Sequence, residues 1–110
     1  MVTRVKICGL TRLEDVEAAY VLGASAVGFV LEPSSPRRIG FSDITRLTDC
    51  VPVYVTTVAV VGRYEPSPMF AVFGAVQGIG VNLSRLEPSQ RAISVFRPGS
   101  GDPLPDPMDC

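Results

Sequence analysis

The hydrophobic period changes twice within the first thirty residues. Val5 and Ile7 alternate with Lys6 and Cys8, a strand period that sends the aliphatic pair to one face and the amine and thiol to the other. Thr11 followed by Glu14 has the form of a capping box, and Leu13, Val16, Ala19 and Tyr20 then recur at helical spacing until Gly23. Ala26-Val27-Gly28-Phe29-Val30-Leu31 is continuously apolar, as expected of a parallel strand covered on both faces, and a polar loop runs from Glu32 to Gly40. Ser42 can cap a short helix holding Ile44 and Leu47, and the β-branched run Val53 to Val61 predicts a third strand. Ser67-Pro68 supplies an N-cap and a first-turn proline for a helix from Met69 to Val76, ended by Gly78, and Ile79 to Leu83 is the fourth predicted strand.

Strands alternating with helices over short connections specify right-handed parallel crossovers, so the fold class is α/β. An open flavodoxin-like sheet and the opening units of a closed (βα)8 barrel both fit, although a complete barrel needs about 200 residues or more. Beyond Leu83 the pattern decays. Glu87 to Phe96, with Pro88 near its start, allows one more helix, whereas Pro98 to Pro107 is dense in proline and glycine and is expected to be a disordered tail spanning 97–110.

Composition narrows the function. Ten basic and eleven acidic residues are mixed along 110 positions, so no electrostatic footprint points to nucleic acid or to a membrane surface. No apolar run approaches the roughly 18 residues needed to span a bilayer, and the amino terminus lacks the apolar core of a secretory signal, so a cytoplasmic protein is expected. There is no histidine, and Cys8, Cys50 and Cys110 lie far apart. That disfavours a disulfide framework and a zinc site and removes histidine as an acid or base.

The residues that remain for chemistry sit where strands end. Cys8 closes the first strand on the face it shares with Lys6, and an ammonium near a thiol favours the thiolate, the form that acts as base or nucleophile. Free cysteine is also among the most buried residue types and commonly behaves as a small hydrophobe, so the heptapeptide alone leaves both readings open. Lys6 is either part of a site or an interior lysine held by carboxylates. Arg37 is either a ligand or a solvated loop arginine beside Arg38.

Lys6-Ile7-Cys8-Gly9-Leu10-Thr11, then Leu22-Gly23-Ala24 leading into Ala26-Val27-Gly28-Phe29-Val30, then Ser35-Pro36-Arg37, closely resemble the phosphoribosylanthranilate isomerase family in order and spacing. The resemblance is strong over residues 4 to about 47, traceable through Val58 to Val61, and poor after Leu83. It covers the first half of a family barrel at most.

The resemblance implies the first four or so strands of a truncated TIM barrel within residues 1–96. It implies an Amadori rearrangement of N-(5-phosphoribosyl)anthranilate to its open-chain aminoketose, without cofactor or metal. It implies Cys8 as general base, Arg37 as the clamp on the anthranilate carboxylate, a substrate-binding place for Lys6, and Gly9 as the residue that keeps the turn tight and open to ligand. Asn82-Leu83-Ser84-Arg85 departs from the family's Gln-Leu-His-Gly. The family's aspartate acid and glycine-containing phosphate loops belong to its second half, and Asp102, Asp106 and Asp109 of the tail are not promoted to that role.

The resemblance therefore predicts an isomerase polypeptide, inactive alone, that self-associates or pairs with a complementing second half. The alternative is a non-catalytic half-barrel module for binding or assembly. A small α/β nucleotide-binding domain ranks last, because no glycine-rich phosphate loop follows any strand.

Overall fold

A computed structural model describes residues 3–81, 86 and 89–95. Among these residues five parallel strands form one sheet in the order β1 (Lys6–Ile7), β2 (Ala26–Val30), β3 (Thr56–Arg63), β4 (Ala75–Ile79) and β5 (Arg91–Ser94). Helices α1 (Leu13–Val21) and α2 (Phe41–Thr48) and a 3-10 turn (Pro68–Val72) connect the first four. Strictly sequential neighbours decide between the two candidate architectures. A flavodoxin-like sheet reverses direction at an interior strand, whereas winding in one direction is how a barrel is built.

One sheet face carries the core. Val27, Phe29, Ala59, Val76 and Ala92 point from successive strands toward Val16 and Ala19 of α1 and Ile44 and Leu47 of α2. Phe29 is fully buried, with its ring 6.2 Å from that of Phe73. Helix α1 ends as Gly23 predicts: at φ +101° this glycine donates to the Tyr20 carbonyl while Ala24 donates to Ala19, the paired bonds of a Schellman motif.

Several sequence expectations are corrected. The capping box at Thr11 is not formed, because α1 starts one residue late with Arg12 as N-cap. Glu14 then lies in the first turn beside Arg12, 3.3 Å away, and a backbone hydrogen bond, seconded by that guanidinium, holds its carboxyl below the ordinary value. Gly40, not Ser42, caps α2. Ser67 does accept from the Met69 amide, but the helix it opens is a single 3-10 turn ending at Val72. Ala75 and Val76 are taken by the sheet, paired with Val58 and Ala59, so β4 runs over Ala75–Ile79 and not from Ile79 onward.

The expected helix Glu87 to Phe96 is replaced, over Arg91–Ser94, by β5, a fifth strand where four were expected. Gln90 anchors its start. The buried amide donates to the Phe70 carbonyl at 2.6 Å and the Phe73 carbonyl at 3.0 Å, satisfying the open end of the 3-10 turn. Asn82 to Arg85 and the 97–110 tail lie outside the described residues.

Candidate active site

The carboxyl ends of β1 and β2 bring the sequence-selected residues together. Gly28 accepts two amide bonds through its carbonyl, from Gly9 at 3.0 Å and Leu10 at 3.2 Å, so the chain leaving β1 is folded tightly against β2. Gly9 makes that turn at φ +79°, a conformation L side chains rarely adopt. Its missing side chain has a second consequence: a Cβ there would lie 2.7 Å from an Arg37 guanidinium nitrogen. The arginine therefore lies directly over the Gly9 backbone.

Gly28 makes room for the other two residues. A Cβ at this position would stand 3.1 Å from the Cys8 sulfur and 3.1 Å from Lys6 Cε. The thiol and the lysine stem thus converge on one glycine from β1, on the face shared with Val58 and opposite the helix-packed core. This is the arrangement that the alternation of Val5 and Ile7 with Lys6 and Cys8 predicts. Cys8 is exposed, which removes the reading of a buried hydrophobe, and Arg37 is exposed as well.

Arg37 is delivered by a folded β2–α2 loop. Ser35 donates its amide to the Glu32 carbonyl and accepts the Arg37 amide on its hydroxyl at 3.2 Å, while Ile39 returns to the Val30 carbonyl at 2.9 Å. Sequence reasoning missed the residue that ties this loop to the sheet. One Glu32 carboxylate oxygen accepts the Gly62 amide of β3 at 3.0 Å, and the other accepts the Ser34 hydroxyl at 3.2 Å. Gly62 is what allows the approach, since a Cβ there would stand 2.7 Å from that carboxylate. The available signal was an acidic residue opening the loop that ends in Ser35-Pro36-Arg37.

Chemically, the site offers a solvent-accessible thiol beside a lysine, with a guanidinium one residue further along the backbone. None of the described strands contains an aspartate or glutamate. Among the described residues no group of three histidine, cysteine or acidic side chains could hold a metal ion, and no helix is long and apolar enough to cross a membrane. A cavity of about 420 Å³ between Tyr64, Ser67, Phe70 and Gln90 is lined by none of Lys6, Cys8, Gly9 or Arg37.

No family model matches the chain. Individual proteins do. It is 55% identical over 58 residues to N-(5'-phosphoribosyl)anthranilate isomerase of Chromohalobacter salexigens, a match covering 53% of this chain and 28% of that protein. The crystal structure of phosphoribosyl anthranilate isomerase from Thermus thermophilus superposes with a TM-score of 0.75 at 32% identity, over 86% of this chain and 52% of that one. A phosphoribosyl anthranilate isomerase in complex with reduced 1-(o-carboxyphenylamino)-1-deoxyribulose 5-phosphate superposes at a TM-score of 0.66 and 39% identity, over 70% of this chain and 42% of that one. The chain thus spans about half the length of these isomerase structures, or less. Five parallel strands in barrel order agree with part of each of these phosphoribosylanthranilate isomerases, in sequence and in backbone.

Proposed function

We propose that this chain is the base-bearing half of a cytoplasmic isomerase that converts N-(5-phosphoribosyl)anthranilate to the corresponding 1-deoxyribulose phosphate in tryptophan biosynthesis. The observation that supports it most is the convergence of Cys8 and Lys6 on Gly28 with Arg37 laid over Gly9, at the strand ends where barrels keep their chemistry.

In this reading an acid first protonates the ribose ring oxygen, and the ring opens to an iminium at C1. The Cys8 thiolate then takes the proton from C2, and the electron pair of that C–H bond forms the C1–C2 double bond of an enolamine, which tautomerises to the ketone. A thiol suits this step because its acidity is readily tuned toward working pH, where base catalysis is most effective. Arg37 clamps the anthranilate carboxylate with its planar fork, as guanidinium groups do. The relative that holds a carboxyphenylamino deoxyribulose phosphate supports a ligand with these two anionic ends. Lys6 stands beside Cys8 at Gly28, and Gly9, lacking a side chain, lets the Arg37 guanidinium lie over the end of β1.

The acid and the phosphate site are assigned to a complementing half of the barrel. Growth tests the proposal. A tryptophan-requiring bacterium lacking its isomerase should be rescued by this chain joined to the remaining half of the Thermus thermophilus barrel. Cys8→Ala should abolish rescue, and Arg37→Ala should make it depend on high substrate supply, because a clamp remote from C2 contributes mostly uniform binding. Undiminished growth with Cys8→Ala would refute the assignment.

A further inference from the structure

Among the described residues, the sheet face opposite the helix-packed core carries charge of one sign. In the register that links Gly28, Val58, Ala75 and Arg91 across β2 to β5, Arg91 stands on this face, and Lys6 reaches the same row by laying its stem against Gly28. Arg4, Lys6 and Arg91 line a cavity of about 290 Å³ whose other walls include Val58 and Ile93, and among the described residues no carboxylate lines it. Among the described residues none of the three cations is in an ion pair. The strands themselves offer none with which to form one, since no described strand contains an acidic residue.

Closing this sheet into a barrel buries Lys6 and Arg91. A buried cation without a partner is strongly unfavourable, and burial is tolerated when the charge is paired and hydrogen-bonded. We propose that the polypeptide completing the barrel presents carboxylates on its inward strand positions, in the row of Gly28 and Arg91, and that Lys6 and Arg91 are the groups that recognise it. This rests on the reading of the chain as half of a barrel. A second copy of this chain is a poor occupant, because it would set Lys6 and Arg91 against the same cations. The inference deepens the assignment of Lys6, whose interior-lysine and site readings then describe one residue with its stem beside Cys8 and its charge toward the partner.

The test is association, with turnover read separately. The tagged full chain is coexpressed with the remaining half of the Thermus thermophilus isomerase, and the dissociation constant is measured for wild type, Arg91→Met and Arg91→Lys. Arg91→Met keeps comparable bulk and removes the charge. If a partner carboxylate faces Arg91, this change leaves that group buried and unpaired, and affinity falls by about tenfold or more. Arg91→Lys, which keeps the charge, retains most of the binding, and circular dichroism of each variant shows that it folds. Equal or tighter binding by Arg91→Met would overturn the inference, because simple apolar burial gains from loss of the charge, and failure of the wild-type chain to bind would overturn it too. A charge-dependent complex with no isomerase activity would count against the proposed function and leave this inference standing.

Discussion

At the scale of single residues, the two described cysteines behave oppositely. Cys8 is exposed at a strand end, whereas Cys50 is half-buried below α2 and donates its thiol to the Leu47 carbonyl at 3.2 Å. Burial, with the nearby Glu17 and Asp49 charges, pushes the Cys50 thiol up in pKa, against a smaller opposing effect of a backbone hydrogen bond. Its thiolate is therefore scarce at neutral pH. Iodoacetamide at pH 7.5 should modify Cys8 first, with Cys50 following only as pH rises, and peptide mass mapping reads the order. Linkage has the matching sign: a thiol whose folded pKa is raised stabilises the fold below the unfolded value, about 8.5, and that contribution is lost as pH climbs through the folded value. Modification of Cys50 ahead of Cys8 would contradict the burial that separates them.

At the scale of elements, Glu32 decides how firmly the loop carrying Arg37 is held. Its carboxylate spans from the end of β2 to the Gly62 amide on β3. Glu32→Ala should free that amide, raising its hydrogen-exchange rate while leaving the core amides of Phe29 and Ala59 protected. A hydrogen bond to a charged group contributes about 1.5–3 kcal/mol, enough to change a local opening equilibrium more than tenfold. Unchanged exchange at Gly62 would show that the clip is incidental.

What the sequence disclosed at this scale follows from where information is local. The alternation of Val5, Lys6, Ile7 and Cys8, the apolar run of β2 and the stop at Gly23 are decided by near neighbours, and each is found in the structure. Cys8, Lys6, Gly9 and Arg37 were legible from the resemblance, and the structure gathers them around β1 and β2. The errors lie where a distant partner overrides local preference. Ala75 and Val76 satisfy a helical pattern until Val58 and Ala59 claim them for the sheet, and the residues of β5 follow β4 for the same reason. Glu32 and Gly62 are thirty residues apart, a spacing that no local pattern signals.

At the scale of the whole molecule, the sheet formed by the described residues has β1 and β5 as its two edges. Val5, just before the short edge strand β1, and Ile7 within it are 47% and 39% exposed. Unpaired edges with apolar neighbours favour association with another chain. The isolated 110-residue chain should therefore scatter light as an oligomer and show no isomerase turnover. The like charges of Lys6 and Arg91 should keep the sheet face opposite the helix-packed core out of that contact. A monodisperse monomer with robust turnover would mean that an acid lies within this chain after all.

The central claim is that Cys8 removes the C2 proton, and steady-state kinetics tests it most directly. The chain joined to the remaining half of the Thermus thermophilus barrel is assayed with freshly generated phosphoribosylanthranilate, as wild type and as Cys8→Ala. Loss of a general base lowers kcat by about 10² to 10⁴-fold and leaves KM nearly unchanged, with circular dichroism showing an intact fold. A Cys8→Ala enzyme with near wild-type kcat would contradict the account.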